Sequence, residues 1–229
     1  MSGSRVAPSR PAGPGKVFYP MFVDLEGRRC LVVGGGPVAT EKVEKLLDHG
    51  AVVRLVSPRL SPGLEEVVSA GAVAELHRRA YRPEDLSDCF LVIAATNLDA
   101  INRMVWQDAE ARNLLCNIVD VPPLCNFIVP SIVRRGELAL AVSTGGASPV
   151  VAKHIRRQLE VAYGPEWGTL TALLRDLRDE LKDRYPDMPS RRDAVERLME
   201  TDVVRRLADG DEEGARDLAR LVLEIGVPA

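Results

Sequence analysis

Arg29-Cys30-Leu31-Val32-Val33 runs without a break into Gly34-Gly35-Gly36-Pro37-Val38-Ala39, and no other stretch of the sequence narrows the possible folds as far. An apolar run rich in valine, three glycines and a proline suited to the first helical position read as strand, tight turn and helix. The spacing fits G-x-G-x-x-A. Gly34 lets the chain turn sharply, Gly36 removes a side chain where a pyrophosphate would approach, and Ala39 is small enough for the helix to pack on the sheet. The helix amino terminus would present free N–H groups and the positive end of its dipole to that pyrophosphate. Strand, turn and helix in this order are the context that dinucleotide binding demands. The competing reading is a structural turn that merely tolerates glycine.

The chain around this motif alternates between the two kinds of element. Strands are expected at Arg29 to Val33, Val52 to Val56, Val73 to Leu76, Phe90 to Ala94 and Leu115 to Val119. Helices are expected from Pro37 to His49, Pro62 to Ala70 and Ala100 to Arg112. In the first of these, Val38, Val43, Leu46 and Leu47 recur at helical spacing and Gly50 offers a stop. Such alternation predicts crossover units and a mostly parallel, doubly wound α/β sheet. After Asp120 the pattern changes. FIVPSIV and LALAVST flank Arg-Arg-Gly-Glu and read as a hairpin-like pair. Helices then follow at Val150 to Val161, Glu166 to Arg184, Arg191 to Glu200, Thr201 to Asp209 and Glu212 to Ile225. The expected organisation is a tail at 1–16, a dinucleotide-binding domain at 17–120, a small β-containing central region at 121–148 and a helical domain at 149–229.

Composition bounds the function. With 46% hydrophobic and 28% charged residues and no apolar run of membrane-spanning length, the chain reads as globular and not as a membrane protein. A net charge of -3 argues against bulk capture of nucleic acid. Cys30, Cys89, Cys116 and Cys125 are scattered through apolar surroundings with no Cys-x-x-Cys pair, so neither a disulfide framework nor a zinc site is expected and the compartment reads as cytoplasmic. The first sixteen residues lack the apolar core of a secretion signal.

Several residues at strand ends carry possible chemistry. An Asp or Glu about 20 residues beyond the glycine turn usually holds the ribose of NAD, but here the second strand ends in Ser57-Pro58-Arg59. Ser57 could hydrogen-bond a ribose, and Arg59 could equally accept a 2′-phosphate, so the residues leave NAD and NADP both open. Thr96 and Asn97, after the fourth strand, read either as cofactor contacts or as a cap for the following helix. Asp120, after the fifth, reads as a proton acceptor tuned by partial burial or as a turn-capping aspartate. Ser143-Thr144-Gly145-Gly146-Ala147-Ser148-Pro149 combines a helix start with a glycine turn able to form an anion-binding concavity. Arg134, Arg135, Lys153, Arg156 and Arg157 are near it in sequence: residues 130–160 hold five Lys and Arg against two Asp and Glu, whereas 161–229 hold eleven against sixteen. Such a cluster suits a polyanionic ligand, or is a solvated helix face.

Together, GGGPVA, AATN, CNIVD, FIVPSI and STGGASP, in order over residues 17 to 160, resemble the precorrin-2 dehydrogenase family, the dehydrogenase and in some members ferrochelatase part of sirohaem synthase. The resemblance implies a Rossmann-type NAD domain, a central dimerisation region, a helical tail domain and a homodimer. It implies NAD-dependent oxidation of precorrin-2 to sirohydrochlorin, with Asp120 catalytic and no resident metal. The dinucleotide would lie against Gly34, Gly35, Gly36, Pro37, Val38, Ala39, Ser57, Pro58, Thr96 and Asn97. The tetrapyrrole would meet Asn117, Ser131, Ser143, Thr144, Gly145 and Gly146, and its carboxylates give the five cations a reason to cluster. Thr144 falls where some members carry serine. A bifunctional dehydrogenase-chelatase and a non-catalytic NAD-binding module are the alternatives.

Overall fold

A computed structural model of the chain describes residues 16–225. The expected tail at 1–16 lies, apart from Lys16, outside the described residues. The chain divides into two compact units at Val129 and Pro130, a point inside the segment read as the central region.

The first unit is a five-stranded parallel sheet: β1 (Arg29–Val33), β2 (Val52–Val56), β3 (Glu75–His77), β4 (Leu91–Ala94) and β5 (Leu115–Ile118), in the spatial order β3-β2-β1-β4-β5. The connections run through α1 (Pro37–Leu47), α2 (Pro62–Ser69) and α3 (Asp99–Glu110), as the alternating pattern predicts. Residues at successive positions of the central strands face opposite sides of the sheet, and both sides are covered. Cys30, Val32, Val53 and Leu55 pack with Ala39, Val43 and Leu64 on one side. Leu31, Val33 and Val92 pack with Val105, Ala109 and Cys116 on the other. This two-sided burial explains why β1 from Cys30 onward and all of β4 are unbroken apolar runs. The order reverses between β1 and β4, since the chain leaves β1 toward β2 and returns to the far side at β4. That switch point, at the carboxyl ends of the strands, is where such sheets bind ligands.

The strand assignments hold with small shifts. β3 begins at Glu75 and not Val73, and Pro130 keeps Phe127–Val129 out of the hairpin strand, which begins at Ser131.

The second unit opens with the hairpin β6 (Ser131–Arg135) and β7 (Leu138–Val142), antiparallel as expected around a turn in which Gly136 has φ +56°. Six helices follow: α4 (Pro149–Ala162), α5 (Glu166–Asp176), α6 (Arg178–Arg184), α7 (Met188–Met199), α8 (Val203–Ala208) and α9 (Glu212–Val222). The single helix expected over Glu166 to Arg184 is two. At Leu177 ψ rises to 1°, outside the helical region, and the chain bends there. The bend still buries Leu170, Leu173, Leu177 and Leu181 in one core with Leu198 and Leu207. Apolar spacing alone reads straight across it, because the core-facing stripe continues on both sides. All four cysteines are buried thiols, and burial, helped by the neighbouring Cys89, pushes Cys30 up to about 12.

Candidate functional site

The glycine turn is built by close backbone approaches. Gly34 has φ +131°, and a Cβ there would lie 2.2 Å from the Ala95 carbonyl oxygen at the end of β4. A Cβ on Gly35 would lie 1.9 Å from the Arg59 carbonyl oxygen and 2.5 Å from Ser57 Oγ. Gly36 differs: a Cβ there meets nothing within 4 Å. Among the described residues nothing packs against position 36, so a side chain there would enter open space. Ala39 is fully buried against the sheet, as its small size requires.

This turn forms the floor of a cleft of about 560 Å³ at the switch point. Its walls are Val33–Val38, the β2 end Val56–Ser61, Arg79–Tyr81 after β3, and Ala95–Leu98 with Ile101 beyond β4. Gly34, Gly35, Gly36, Pro37, Val38, Ser57, Pro58, Thr96 and Asn97 therefore share one cleft, and Ala39 sits behind it. Pro37 opens α1, whose first-turn N–H groups have no partners of their own within the helix.

The β2 loop is tied to the turn. Ser57 Oγ donates to the Arg59 carbonyl at 2.7 Å, and Ser61 N donates to the Gly35 carbonyl at 2.7 Å. Ser57 therefore has its proton committed and keeps its oxygen as an acceptor. Thr96 is held as well: Oγ1 donates to Asn102 Oδ1 at 2.8 Å and accepts from Leu98 N at 3.1 Å. Its hydroxyl thus shapes the entry to α3, while Asn97 stands exposed on the cleft wall.

Arg79 and Tyr81 also line the cleft, and the sequence reading did not single them out. Arg79 forms a two-pronged pair with Asp85, at 2.8 and 2.6 Å, and Asp85 is only 3% exposed. Tyr81 donates to Asp108 Oδ2 at 3.0 Å; burial, then that carboxylate, holds its hydroxyl protonated far above the ordinary range. Their signal was position: both follow the third strand, on the edge that carries every other cleft residue.

Asp120 lies in the turn after β5, next to β4 in the sheet and on the same carboxyl edge. Val119 N donates to the Ala94 carbonyl at 2.9 Å, so the backbone leading to Asp120 is fastened beside the cleft. Asp120 itself has φ +60° and an exposed carboxylate, in place of the expected partial burial. A non-glycine residue in the left-handed region is uncommon, and Asp and Asn are among those that tolerate it. Asn117 Nδ2 donates to the Phe127 carbonyl at 3.1 Å. Asn126 and Cys125 fold the following segment back along β5: Asn126 Oδ1 accepts from Cys116 N at 2.7 Å and Cys125 Sγ donates to the Ile118 carbonyl at 3.2 Å.

In the second unit, Ser148 caps α4 by accepting from Val151 N at 3.3 Å. Thr144 Oγ1 donates to the Ser148 carbonyl and accepts from its N–H, both at 3.1 Å, and Ser143 Oγ accepts from Gly145 N at 3.0 Å. The hydroxyls of Ser143 and Thr144 hold the turn, in which Gly145 and Gly146 have φ +62° and +88°. The five cations separate into roles. Arg135 donates to the Tyr163 and Glu160 carbonyls at the carboxyl end of α4, and Arg156 pairs with Glu160. Arg134, Lys153 and Arg157 are exposed, and the last two form no ion pair among the described residues. Ser131 opens β6 opposite Val142. No group of three or more His, Cys, Asp or Glu among the described residues is placed to hold a metal ion, and no helix among them is long and apolar enough to cross a membrane.

A parallel sheet in this order, with a glycine turn that leaves an uncontacted space at its switch point, defines a dinucleotide-binding protein of the Rossmann class. Comparison with known proteins narrows this. Residues 21–131 match the family described as "Putative NAD(P)-binding", 135–162 "Sirohaem biosynthesis protein central" and 166–223 "Sirohaem synthase dimerisation region". The chain is 41% identical over 206 residues to a sirohaem synthase of Pseudomonas fluorescens and 40% identical over 204 to one of Methylobacillus flagellatus, covering 90% and 89% of this chain. It spans 44% of the length of each. A solved structure of SirC, precorrin-2 dehydrogenase, superposes with a TM-score of 0.73 at 26% identity, covering 89% of this chain and all of that one. Three family models, two of them of sirohaem synthesis, thus match successive segments of the chain, and the relatives named above are sirohaem synthases and a precorrin-2 dehydrogenase.

Proposed function

We propose that this protein oxidises precorrin-2 to sirohydrochlorin with NAD, in the synthesis of sirohaem. The single observation that carries the cofactor half is Gly36, whose missing side chain opens space that no protein atom fills, beside the amino terminus of α1. The substrate half rests on the likeness to SirC and the sirohaem synthases.

When bound, NAD supplies a nicotinamide ring that accepts a hydride. The chain's own residues do the rest. The turn Gly34 to Ala39 holds the diphosphate through the N–H groups of Gly35, Gly36, Val38 and Ala39 and through the α1 dipole, while the Gly34 N–H is bonded to the Val56 carbonyl. Ser57 Oγ accepts from a ribose hydroxyl, Asn97 donates to the cofactor from the opposite wall, and Thr96 shapes that wall. Oxidation removes a hydride and a proton from the substrate, and the Asp120 carboxylate takes the proton. Its exposure leaves it free to meet a substrate entering from outside the sheet edge. Lys153 and Arg157, with Arg134 and the Ser143–Gly146 turn, receive the tetrapyrrole's carboxylates. Arg135, at the end of β6, and Arg156, on α4, support that surface through their bonds to Glu160, and Asn117 and Ser131 are further substrate contacts. Residues 121–148 are the central region of this arrangement, residues 149–229 the helical domain, and two copies form a homodimer.

The test is an anaerobic assay with enzymatically generated precorrin-2. NADH absorbance and the sirohydrochlorin spectrum should rise together, and only with dinucleotide present. Folded protein that binds NAD but yields no sirohydrochlorin would refute the assignment.

A further inference from the structure

We propose that Arg59 makes the cleft a site for the 2′-phosphorylated dinucleotide, NADP, alongside NAD. This rests on the reading of the cleft as a dinucleotide site and adds which ribose it accepts. A site confined to NAD places a carboxylate at the end of β2, where it accepts from the ribose hydroxyls and repels a phosphate. Here β2 ends at Val56, Ser57 follows, and the residues lining the cleft include two arginines and no Asp or Glu. The charges of the two arginines differ in availability. Arg79 is spent on the buried Asp85. The Arg59 guanidinium forms no ion pair or hydrogen bond among the described residues, and the residue is exposed.

Its backbone, in contrast, is fixed. The Arg59 carbonyl accepts from Ser57 Oγ at 2.7 Å and lies where a Cβ on Gly35 would be, so the loop is pressed onto the turn that cradles the diphosphate. Ser61, two residues on, donates to the Gly35 carbonyl at 2.7 Å. An exposed cation on a fixed stem, two residues past Ser57 at the end of β2, suits a phosphate on the 2′ position. Other groups facing this end do not oppose it. The His77 carbonyl is taken by the Ser57 and Arg79 N–H groups, and Ser61 Oγ is bonded to Thr40 at 3.0 Å.

Titration calorimetry with NAD and with NADP tests this without turnover. The wild type should bind NADP within about tenfold of NAD. Arg59→Ala should weaken NADP by about tenfold or more, the loss expected for one charge-assisted contact, and NAD by less than about threefold. Arg59→Glu should abolish NADP binding and keep NAD. Arg205→Ala, which removes a charge on α8, should change neither. NAD binding with no detectable NADP binding would overturn the proposal and leave the cofactor reading intact. Equal losses of both ligands in Arg59→Ala would make Arg59 a diphosphate contact and also overturn it. Failure of folded wild type to bind either would remove both readings.

Discussion

Gly35 and Gly36 are neighbours in one turn, yet they are glycine for opposite reasons. At 35 a side chain would strike the Arg59 carbonyl; at 36 it would enter open space. Gly35→Ala should therefore cost about 1–3 kcal/mol of stability through forced backbone shifts. Gly36→Ala, at an ordinary φ of -84°, should leave the melting temperature within about 2 °C yet weaken NAD by about tenfold or more, because its Cβ occupies the ligand's space. Thermal melts and calorimetric titration of both variants separate the two cases. A large loss of stability in Gly36→Ala would mean that protein packing, not a ligand, fixes that residue. Asp120 poses a cleaner choice. Asparagine tolerates its φ of +60° as well as aspartate does, so Asp120→Asn keeps the turn and removes only the base. Its kcat should fall by about 10² to 10⁴-fold with NAD affinity unchanged, and unaltered turnover would take Asp120 out of the mechanism. The glycine turn and the place of Asp120 just past a strand were both legible from sequence, since glycines follow an apolar strand at 34–36 and a polar residue closes one at 120. That Gly35 answers to Arg59, and Thr96 to Asn102, was not, because the first pairing depends on where β2 ends and the second on how α3 turns back after β4.

Elements set those pairings, and the β3 end shows how. His77 closes a strand of only three residues, Glu75–His77, and the chain beyond it is held by Asp85, which accepts from both prongs of Arg79 and from Arg82 N at 2.8 Å. Burial pushes the Asp85 carboxyl up, but Arg79 and the Arg82 N–H outweigh it and hold the group below its usual value. Its stabilising contribution is complete above the unfolded carboxylate value near 4 and disappears as pH falls through the lower folded value. Asp85→Asn should thus cost about 1–3 kcal/mol near neutral pH, and the gap to wild type should narrow as pH drops below about 4. Chemical denaturation at a series of pH values reads this directly. A gap that stays constant would assign Asp85 a shape role and not a charge role. The short strand explains why this wall of the cleft escaped the sequence reading. Three residues give too little periodicity to locate an edge, so Arg79 and Tyr81 looked like loop. The bend at Leu177 escaped for the opposite reason, a periodicity so regular that it concealed the break.

At the scale of the molecule, the apolar residues gather into separate cores. Those of the sheet end at residue 127, and that of the helices begins at residue 167. The cofactor cleft draws every lining residue from between Val33 and Ile101, within the first unit. A ligand that binds only the folded form raises stability by about 2.7 kcal/mol at one hundred times its Kd, and it raises only the cooperative unit that contains its site. Scanning calorimetry of the full chain at that concentration should therefore show NAD moving the transition of the sheet unit upward by about 10–20 °C, since about 1 kcal/mol moves a unit of roughly a hundred residues by about 4–8 °C. The transition of the helical unit should stay where it is. Gly36→Ala, with NAD about tenfold weaker or more, should cut the shift to about half or less at the same NAD concentration without altering the cofactor-free trace. If NAD instead moves a single transition of the whole chain, the two cores unfold as one. Cofactor occupancy would then stabilise the helical unit as well, coupling the two units energetically through binding at the first.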